Sequence, residues 1–124
     1  MRYTLLLHYP EMSPEELGAD GLEAGQTAFR AYAAALHDAG VLIAGEVLQP
    51  STATTTVTAA GGHLSVQDGP FAATKEQLGG TFVIDVPDLD AALAWAEKAP
   101  SVQWGTVEVR PTATHVVDGQ WVEG

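Results

Sequence analysis

Glu46 is an acidic residue at a position where an apolar face is expected. In a regular strand, its carboxylate would share one face with Leu42, Ala44 and Leu48. A carboxylate there must find a hydrogen-bond donor or keep its proton. The functional interpretation is a general acid or base. The structural interpretation is an acid at the frayed end of a strand, bonded to the turn at Gln49-Pro50.

Asp68 begins a stretch of thirteen residues, 68–80, that joins two strand-like runs. In Asp68-Gly69-Pro70, the aspartate can bond its own downstream backbone, glycine tolerates a positive φ, and proline fixes the exit angle of the chain. Asp68 is therefore either a turn-forming residue that bonds downstream amides or a free carboxylate beside the polar residues that follow it.

The polar run Thr74-Lys75-Glu76 lies within the same stretch. Lys75 and Glu76 form either a solvated pair on a loop or the polar wall of a pocket, in which Lys75 meets an anionic or carbonyl ligand. Long ordered connections tend to be functional. We therefore interpret Thr74, Lys75 and Glu76 as candidate ligand-binding residues.

His8 is the histidine best placed to reach a cavity, because it ends a strand whose neighbouring residues are apolar. It joins Glu46 and Asp68 as a candidate catalytic residue. The spacing of the four histidines matches no metal-ligand pattern, and neither a nucleophile elbow nor a phosphate-binding glycine loop is present. We therefore predict no metal and no cofactor.

The charge balance excludes several classes of partner. Sixteen acidic residues oppose five scattered basic residues, for a formal net charge of -11, so no basic stripe exists to follow phosphates. We expect no direct nucleic-acid binding and no attraction to an anionic membrane. No apolar run approaches the roughly 20 residues of a membrane helix. The amino terminus has a strand pattern rather than the apolar core of a signal peptide, so we expect a cytoplasmic protein. The chain has no cysteine and therefore no disulfide.

The apolar periodicity predicts an α+β fold of the ferredoxin-like type, in which two βαβ units flank a β-hairpin around an antiparallel sheet. The predicted elements are a strand at Arg2–Tyr9, a helical turn from Ser13, a helix at Leu22–Ala39, a strand at Val41–Leu48, a hairpin of Thr54–Thr58 with His63–Gln67, a strand at Thr81–Val86, a helix between Asp88 and Pro100, and a strand at Trp104–Arg110.

Two helices can cover only one face of such a sheet, yet the predicted strands carry apolar side chains on both faces, among them Leu6, Leu42 and Ala44. The uncovered face needs a partner. The economical partner is a second copy of the chain that packs sheet against sheet, which predicts a homodimeric α/β barrel with ligand clefts at its edges.

The chain divides into one domain and a short tail. Its 124 residues suit a single compact domain, and we place this domain at residues 1–112. The tail at residues 113–124 contains two β-like runs around Asp118-Gly119, a pattern that indicates a small β-hairpin.

Three segments together resemble a known family. Residues 68–80, which contain Asp68-Gly69-Pro70-Phe71, read with residues 39–50 and 53–57, resemble the DGPF branch of the YCII-related proteins. The resemblance implies a dimeric α/β barrel and a recurring Gly45-Glu46 pair. DGPF-type domains also occur joined to, or encoded near, extracytoplasmic sigma factors, which implies a regulatory or accessory role.

Two departures limit what the resemblance implies. Many YCII-type proteins have a histidine on the first helix that works with an aspartate as a proposed catalytic dyad. The corresponding place here is at or near Phe29, where no histidine lies. Relatives with the DGPF signature also commonly have Glu at the position of Ala73. The dyad mechanism is therefore not transferred to this chain.

Three functions remain open from the sequence. The first is a homodimer that binds a small molecule and has a regulatory or accessory role. The second is a cofactor-independent enzyme that performs acid–base or lyase-like chemistry on a small polar or aromatic compound, with Glu46 or Asp68 as base, Lys75 as electrostatic anchor and His8 as proton partner. The third is a structural or interaction subunit.

Overall fold

The computed structural model describes all 124 residues, and its elements follow the predicted order. Four strands form one antiparallel sheet in the spatial order β2-β5-β1-β6, which confirms the ferredoxin-like α+β fold. The elements are β1 (Arg2–Tyr9), α1 (Pro14–Asp38), β2 (Leu42–Val47), β3 (Thr55–Ala60), β4 (His63–Asp68), β5 (Gln77–Asp85), α2 (Leu89–Glu97), β6 (Thr106–Pro111), β7 (Thr114–Val117) and β8 (Gln120–Glu123), with 3-10 turns at Ser51–Ala53 and Pro100–Gln103.

Helix α1 begins and ends as its local sequence predicts. Ser13 and Glu16 form a reciprocal capping box, and the amides of Gly40 and Val41 bond back to the last turn in a Schellman motif. Gly18, at φ 72° and ψ 168°, has a non-helical backbone, so the predicted turn from Ser13 is separated from the main helix by a kink. The main helix resumes directly after Gly18, a few residues earlier than the predicted start at Leu22. Neither helix is long and apolar enough to cross a membrane.

The β3–β4 hairpin is confirmed, with Gly61 and Gly62 at positive φ in its two-residue turn. Strand β5 begins earlier than predicted, at Gln77 rather than Thr81. Gly79 and Gly80 are therefore strand residues. Gly80 pairs with both neighbouring strands, and a side chain on it would press on the backbone of Glu46.

A β-bulge at Ile43 changes the predicted faces of β2. Leu42 pairs with Ile84, whereas Ala44 pairs with Val83, so the two positions do not lie on the same face. Leu42 packs against the helix-covered core. The expectation that Leu42 shares a face with Ala44 is wrong, because regular alternation does not hold across the extra residue.

The hydrophobic core lies on one side of the sheet only. Alternate residues of β1 and β5 are buried beneath the two helices, and Tyr32 and Leu36 of α1 pack onto them. The Tyr32 hydroxyl donates a 2.7 Å hydrogen bond to the backbone oxygen of Trp95, which ties α1 to α2. Burial raises the pKa of Tyr32 to about 12. The core residues are Tyr3, Leu5, Leu7, Tyr32, Leu36, Phe82, Ile84, Val86, Ala92, Ala96 and Ala99.

The other side of the sheet has no covering element within the subunit. We call this side the open face, and its partly exposed centre is formed by Thr4, Leu6, His8, Thr81 and Val83. Threonine, leucine and valine side chains thus meet solvent across the middle of the sheet. The dimeric barrel predicted from the sequence would cover this face.

Replacing Tyr32 by Phe should destabilise the fold by about 1 kcal/mol at neutral pH, because the Trp95 carbonyl loses one of its two donors and keeps only the Lys98 amide, while the ring packing is kept. Urea unfolding of both proteins at the same concentration measures this difference. An equal unfolding free energy for the two proteins would contradict the role given to this bond.

The same pair of proteins tests the pKa of Tyr32. A tyrosine whose pKa is raised from 10.0 to about 12 by folding contributes stability that is present below pH 10 and lost as the pH rises to 12. The stability difference between the native protein and Tyr32→Phe should therefore shrink between about pH 10 and 12. A difference that stays constant across this interval would contradict the assignment.

Gly105 allows β1 and β6 to approach closely. A Cβ there would overlap the backbone oxygen of His8, which cannot rotate away. We expect Gly105→Ala to cost about 1–3 kcal/mol of unfolding free energy. Gly25→Ala is the matched control, because a Cβ at Gly25 of α1 meets nothing within 4 Å and alanine favours the helix. If Gly25→Ala lost stability while Gly105→Ala did not, the role given to Gly105 would be contradicted.

Candidate functional site

A polar groove of about 440 Å³ lies at one end of the open face. Strands β1 and β6 form its floor, and the connection between β4 and β5 forms its wall. Four of the six predicted site residues meet here, whereas Glu46 and Asp68 do not line the groove. The lining residues are His8, Thr74, Lys75, Glu76, Thr106 and Glu108.

His8 reaches the groove because of strand alternation. Leu7 and Tyr9 point toward the core side of the sheet, so the imidazole between them points to the open face. The register of β1 with β6 places His8 opposite Thr106, and Glu108 lies two residues farther along the same face. The close approach at Gly105 brings this end of β6 against β1.

His8 and Glu108 form the closest charged contact of the groove. Nε2 of His8 lies 2.6 Å from Oε1 of Glu108, and the side chain of His8 is only 27% exposed. Nε2 has no aligned hydrogen-bond partner, so the contact is an ion-pair approach rather than a completed hydrogen bond. An imidazole beside a carboxylate is an arrangement used in general acid–base catalysis, which makes this pair a candidate for acid–base chemistry.

The wall of the groove is held in place by its own polar side chains. The hydroxyl of Thr74 donates to the backbone oxygen of Glu76 at 2.7 Å, and Nε2 of Gln77 donates to the backbone oxygens of Ala72 and Thr74. Thr74 therefore shapes the connection. Gln77 supports it from the start of β5.

Lys75 and Glu76 supply the wall's charges. Lys75 makes no ion pair within the subunit. Oε1 of Glu76 is buried and has no hydrogen-bond partner. A buried acceptor without a donor is costly, so a bound molecule that carries a hydroxyl or amine would relieve it. The groove thus combines the unpaired ammonium group of Lys75 with a carboxylate oxygen of Glu76 that has no hydrogen-bond donor.

The turn before this wall is built differently from the prediction for Asp68. Gly69 adopts φ 105°, as expected, but its amide donates to the backbone oxygen of Thr54, and its oxygen accepts from the hydroxyl of Thr56. The Asp68 carboxylate is exposed and forms no hydrogen bond. The interpretation that this carboxylate bonds the downstream amides is wrong, because the opposite strand provides the partners; the alternative, a free carboxylate, agrees with the structure.

Glu46 lies on the open face, but on the far strand from His8. It pairs with Thr81, which pairs in turn with Leu6, whose other neighbour is Glu108. Three strand spacings of about 4.8 Å therefore separate Glu46 from Glu108. Its carboxylate is exposed and bonds neither the following turn nor any other group. The preceding residue, Gly45, packs against the Phe82 ring so closely that a Cβ at this position would clash with the ring.

The sequence analysis missed Thr106 and Glu108. Their signal is the alternation of Thr106, Glu108 and Arg110 with Val107 and Val109, which predicts a polar face for the last strand. The ferredoxin-like order makes that strand a neighbour of β1. The residue pattern alone does not give the register that brings Glu108 to His8.

Glu11 is a second residue that the sequence analysis did not identify. Its carboxylate accepts from both the amide and the hydroxyl of Ser51, which ties the chain after β1 to the chain after β2. Burial, and to a smaller degree the charge of Glu11, raises the pKa of Tyr9 on the core side of the sheet. Glu11 therefore links the segments that follow β1 and β2 at one end of the sheet, and neither Glu11 nor Tyr9 lines the groove.

One other groove of the subunit is larger but carries different groups. This second groove, of about 500 Å³, follows one side of α1 and carries three alanines, two acids and a threonine without any cation. No three histidine or acidic side chains converge to hold a metal ion. The polar groove on the open face is therefore the best candidate site.

Comparison with known proteins agrees with the resemblance noted from the sequence. The chain is 44% identical over 70 residues to an uncharacterised protein of Rhizobium meliloti (strain 1021), and the match covers 55% of this chain and 56% of the relative. The chain thus matches about half the length of that curated relative. The family model for the YCII-related domain matches residues 1–114. The chain belongs to the family of proteins with a YCII-related domain.

Proposed function

We propose that this protein is a homodimer that binds a small polar molecule in the groove formed by His8, Lys75, Glu76 and Glu108. The observation that carries the proposal is the convergence of the free Lys75 ammonium group and the His8–Glu108 contact with one buried polar atom that lacks a partner, Oε1 of Glu76. Unsatisfied buried polar atoms are rare in folded proteins, and a ligand is one way to satisfy them.

The lining residues indicate the chemistry of the ligand. All six are polar, so the groove has no apolar pocket for a large hydrophobic group. Lys75 supplies a point charge for a carboxylate or another anionic group. Glu76 needs a hydroxyl or amine that donates to it. A small hydroxy acid or amino acid meets both requirements, and a groove of about 440 Å³ has room for it.

The exposed area of the subunit supports the homodimer. The isolated chain exposes 8437 Å², whereas a compact monomer of 13.0 kDa exposes about 6,300 Å². The excess of about 2,100 Å² per subunit would give two copies an interface in the range of obligate homodimers, about 2,000–5,000 Å² in total. The open face of the sheet is the natural place for part of that area.

The biological role that we propose is regulatory or accessory. It follows from the resemblance to DGPF-type domains, which occur beside extracytoplasmic sigma factors. With a net charge of -11, the protein would act through another protein or through a small-molecule signal rather than by direct contact with nucleic acid.

A second candidate function is supported by the His8–Glu108 contact. An imidazole held 2.6 Å from a carboxylate, in a groove with a lysine, contains the parts of a cofactor-independent acid–base catalyst. In this alternative, Lys75 would anchor the anionic group of the substrate while His8 removes or returns a proton. Glu108 then takes the place that the sequence analysis gave to Glu46 or Asp68.

The binding proposal predicts that Lys75→Ala abolishes recognition of an anionic ligand. A panel of small hydroxy acids and amino acids is screened by thermal shift against the native protein, and each hit is then measured by calorimetry. Arg30→Ala is the matched control, since it removes the same charge from an exposed position on α1. We expect the hits to be lost in Lys75→Ala and kept in Arg30→Ala. Equal affinities in both variants would contradict the proposal.

Proton exchange separates binding from catalysis. Each hit is incubated with the protein in D₂O, and its carbon-bound protons are followed by NMR. The binding proposal predicts that the ligand is recovered without deuterium. Deuterium uptake that disappears in His8→Gln, while calorimetry shows that this variant still binds, would instead establish the acid–base alternative.

A further inference from the structure

The β3–β4 hairpin is the least covered element of the fold. Its two strands pair only with each other, and no other helix or strand packs extensively against them. Val57 faces Val66 and Ala59 faces Leu64, so one side of the ribbon is apolar. The exposed fractions are 63% for Val57, 78% for Leu64 and 65% for Val66.

The opposite side of the ribbon has a different character. Thr58 faces Ser65 there, and Thr56 faces Gln67. A solvated ribbon needs no apolar side, and an isolated two-stranded hairpin is only marginally stable in water. The segregation of apolar residues onto one side therefore indicates a surface that is covered in the functional assembly.

The base of the hairpin is fixed firmly to the domain. On one side, the Gly69 amide donates a hydrogen bond to the backbone oxygen of Thr54, and the Gly69 oxygen accepts one from the hydroxyl of Thr56. On the other, Glu11 holds Ser51, just before β3 begins. The ribbon thus projects in a set direction, by up to about 20 Å for six-residue strands.

We infer that the β3–β4 hairpin is an arm that packs its apolar side, formed by Val57, Leu64 and Val66, onto a second copy of this chain. The inference rests on the homodimer of the proposed function and adds the element that holds it together. The excess exposed area per subunit, about 2,100 Å², matches what a stable dimer needs. Asp68 lies on the same side at the base of the ribbon, but the part formed by Val57, Ala59, Leu64 and Val66 is uncharged, so two copies of an acidic chain can meet there without placing like charges in contact.

The arm is continuous with the ligand groove. Strand β4 ends at Asp68, and the next eight residues lead through the groove wall at Thr74-Lys75-Glu76 to β5. Because Gly69 is bonded to β3, an arm that is immobilised on a partner also holds the start of this connection. Dimerisation therefore orders the groove wall, and a detached arm would leave it less well positioned.

Two charged double variants test the arm by size exclusion with light scattering. Val57→Asp with Leu64→Asp places two carboxylates on the apolar side. Thr58→Asp with Ser65→Asp adds the same charge to the opposite side of the same strands. We expect the native protein and the second variant to be dimers at micromolar concentration, and the first variant to have the monomer mass of 13.0 kDa. Circular dichroism checks that each variant is folded.

A milder variant tests the arm even if the Val57→Asp, Leu64→Asp variant does not fold. Val57→Thr with Leu64→Ser removes apolar area without adding charge, and sedimentation equilibrium should show a dimer weakened by about tenfold or more. If the native protein is dimeric but neither apolar-side variant weakens the dimer, the arm inference is wrong and the homodimer stands. A monomeric native protein would overturn both.

Discussion

The structure depends on one constraint: two helices can cover only one face of a four-stranded sheet. Here α1 and α2 bury the side that carries Leu5, Leu7 and Ile84, and they leave the opposite side of the same strands without a cover. Burial on a single side makes a small core for 124 residues. The subunit gains further stabilisation only if something packs on its open face, and a two-fold partner is the economical solution.

The candidate site follows from the same constraint. Strand alternation sends Leu7 into the core and its neighbour His8 to the open face, where it meets Glu108. The wall that carries Lys75 and Glu76 is built by local hydrogen bonds and joined to the projecting hairpin at Gly69. Assembly and ligand recognition would therefore use one continuous surface, in which the hairpin carries the contacts between subunits and the groove carries the polar groups.

Local features of the fold could be predicted from the sequence, and features of strand pairing could not. The cap at Ser13 and the helix end at Gly40 depend on residues a few positions away, so the sequence contains what is needed to predict them. The bulge at Ile43 depends on how β2 meets β5, and it moved Leu42 to the core side against expectation. Likewise, the loop residues of the groove were recognisable by type, whereas Glu108 required the register of two strands about 100 residues apart.

A single introduced thiol tests most directly whether a second copy covers the open face, because the chain has no cysteine of its own. Val83→Cys places the thiol near the centre of that face, and Thr58→Cys places one on the solvated side of the hairpin. With a maleimide reagent at micromolar protein, the account predicts slow labelling at position 83, faster labelling on dilution, and fast labelling at position 58 throughout. Equally fast labelling at both positions, at every concentration, would show that the open face is bare and contradict the account.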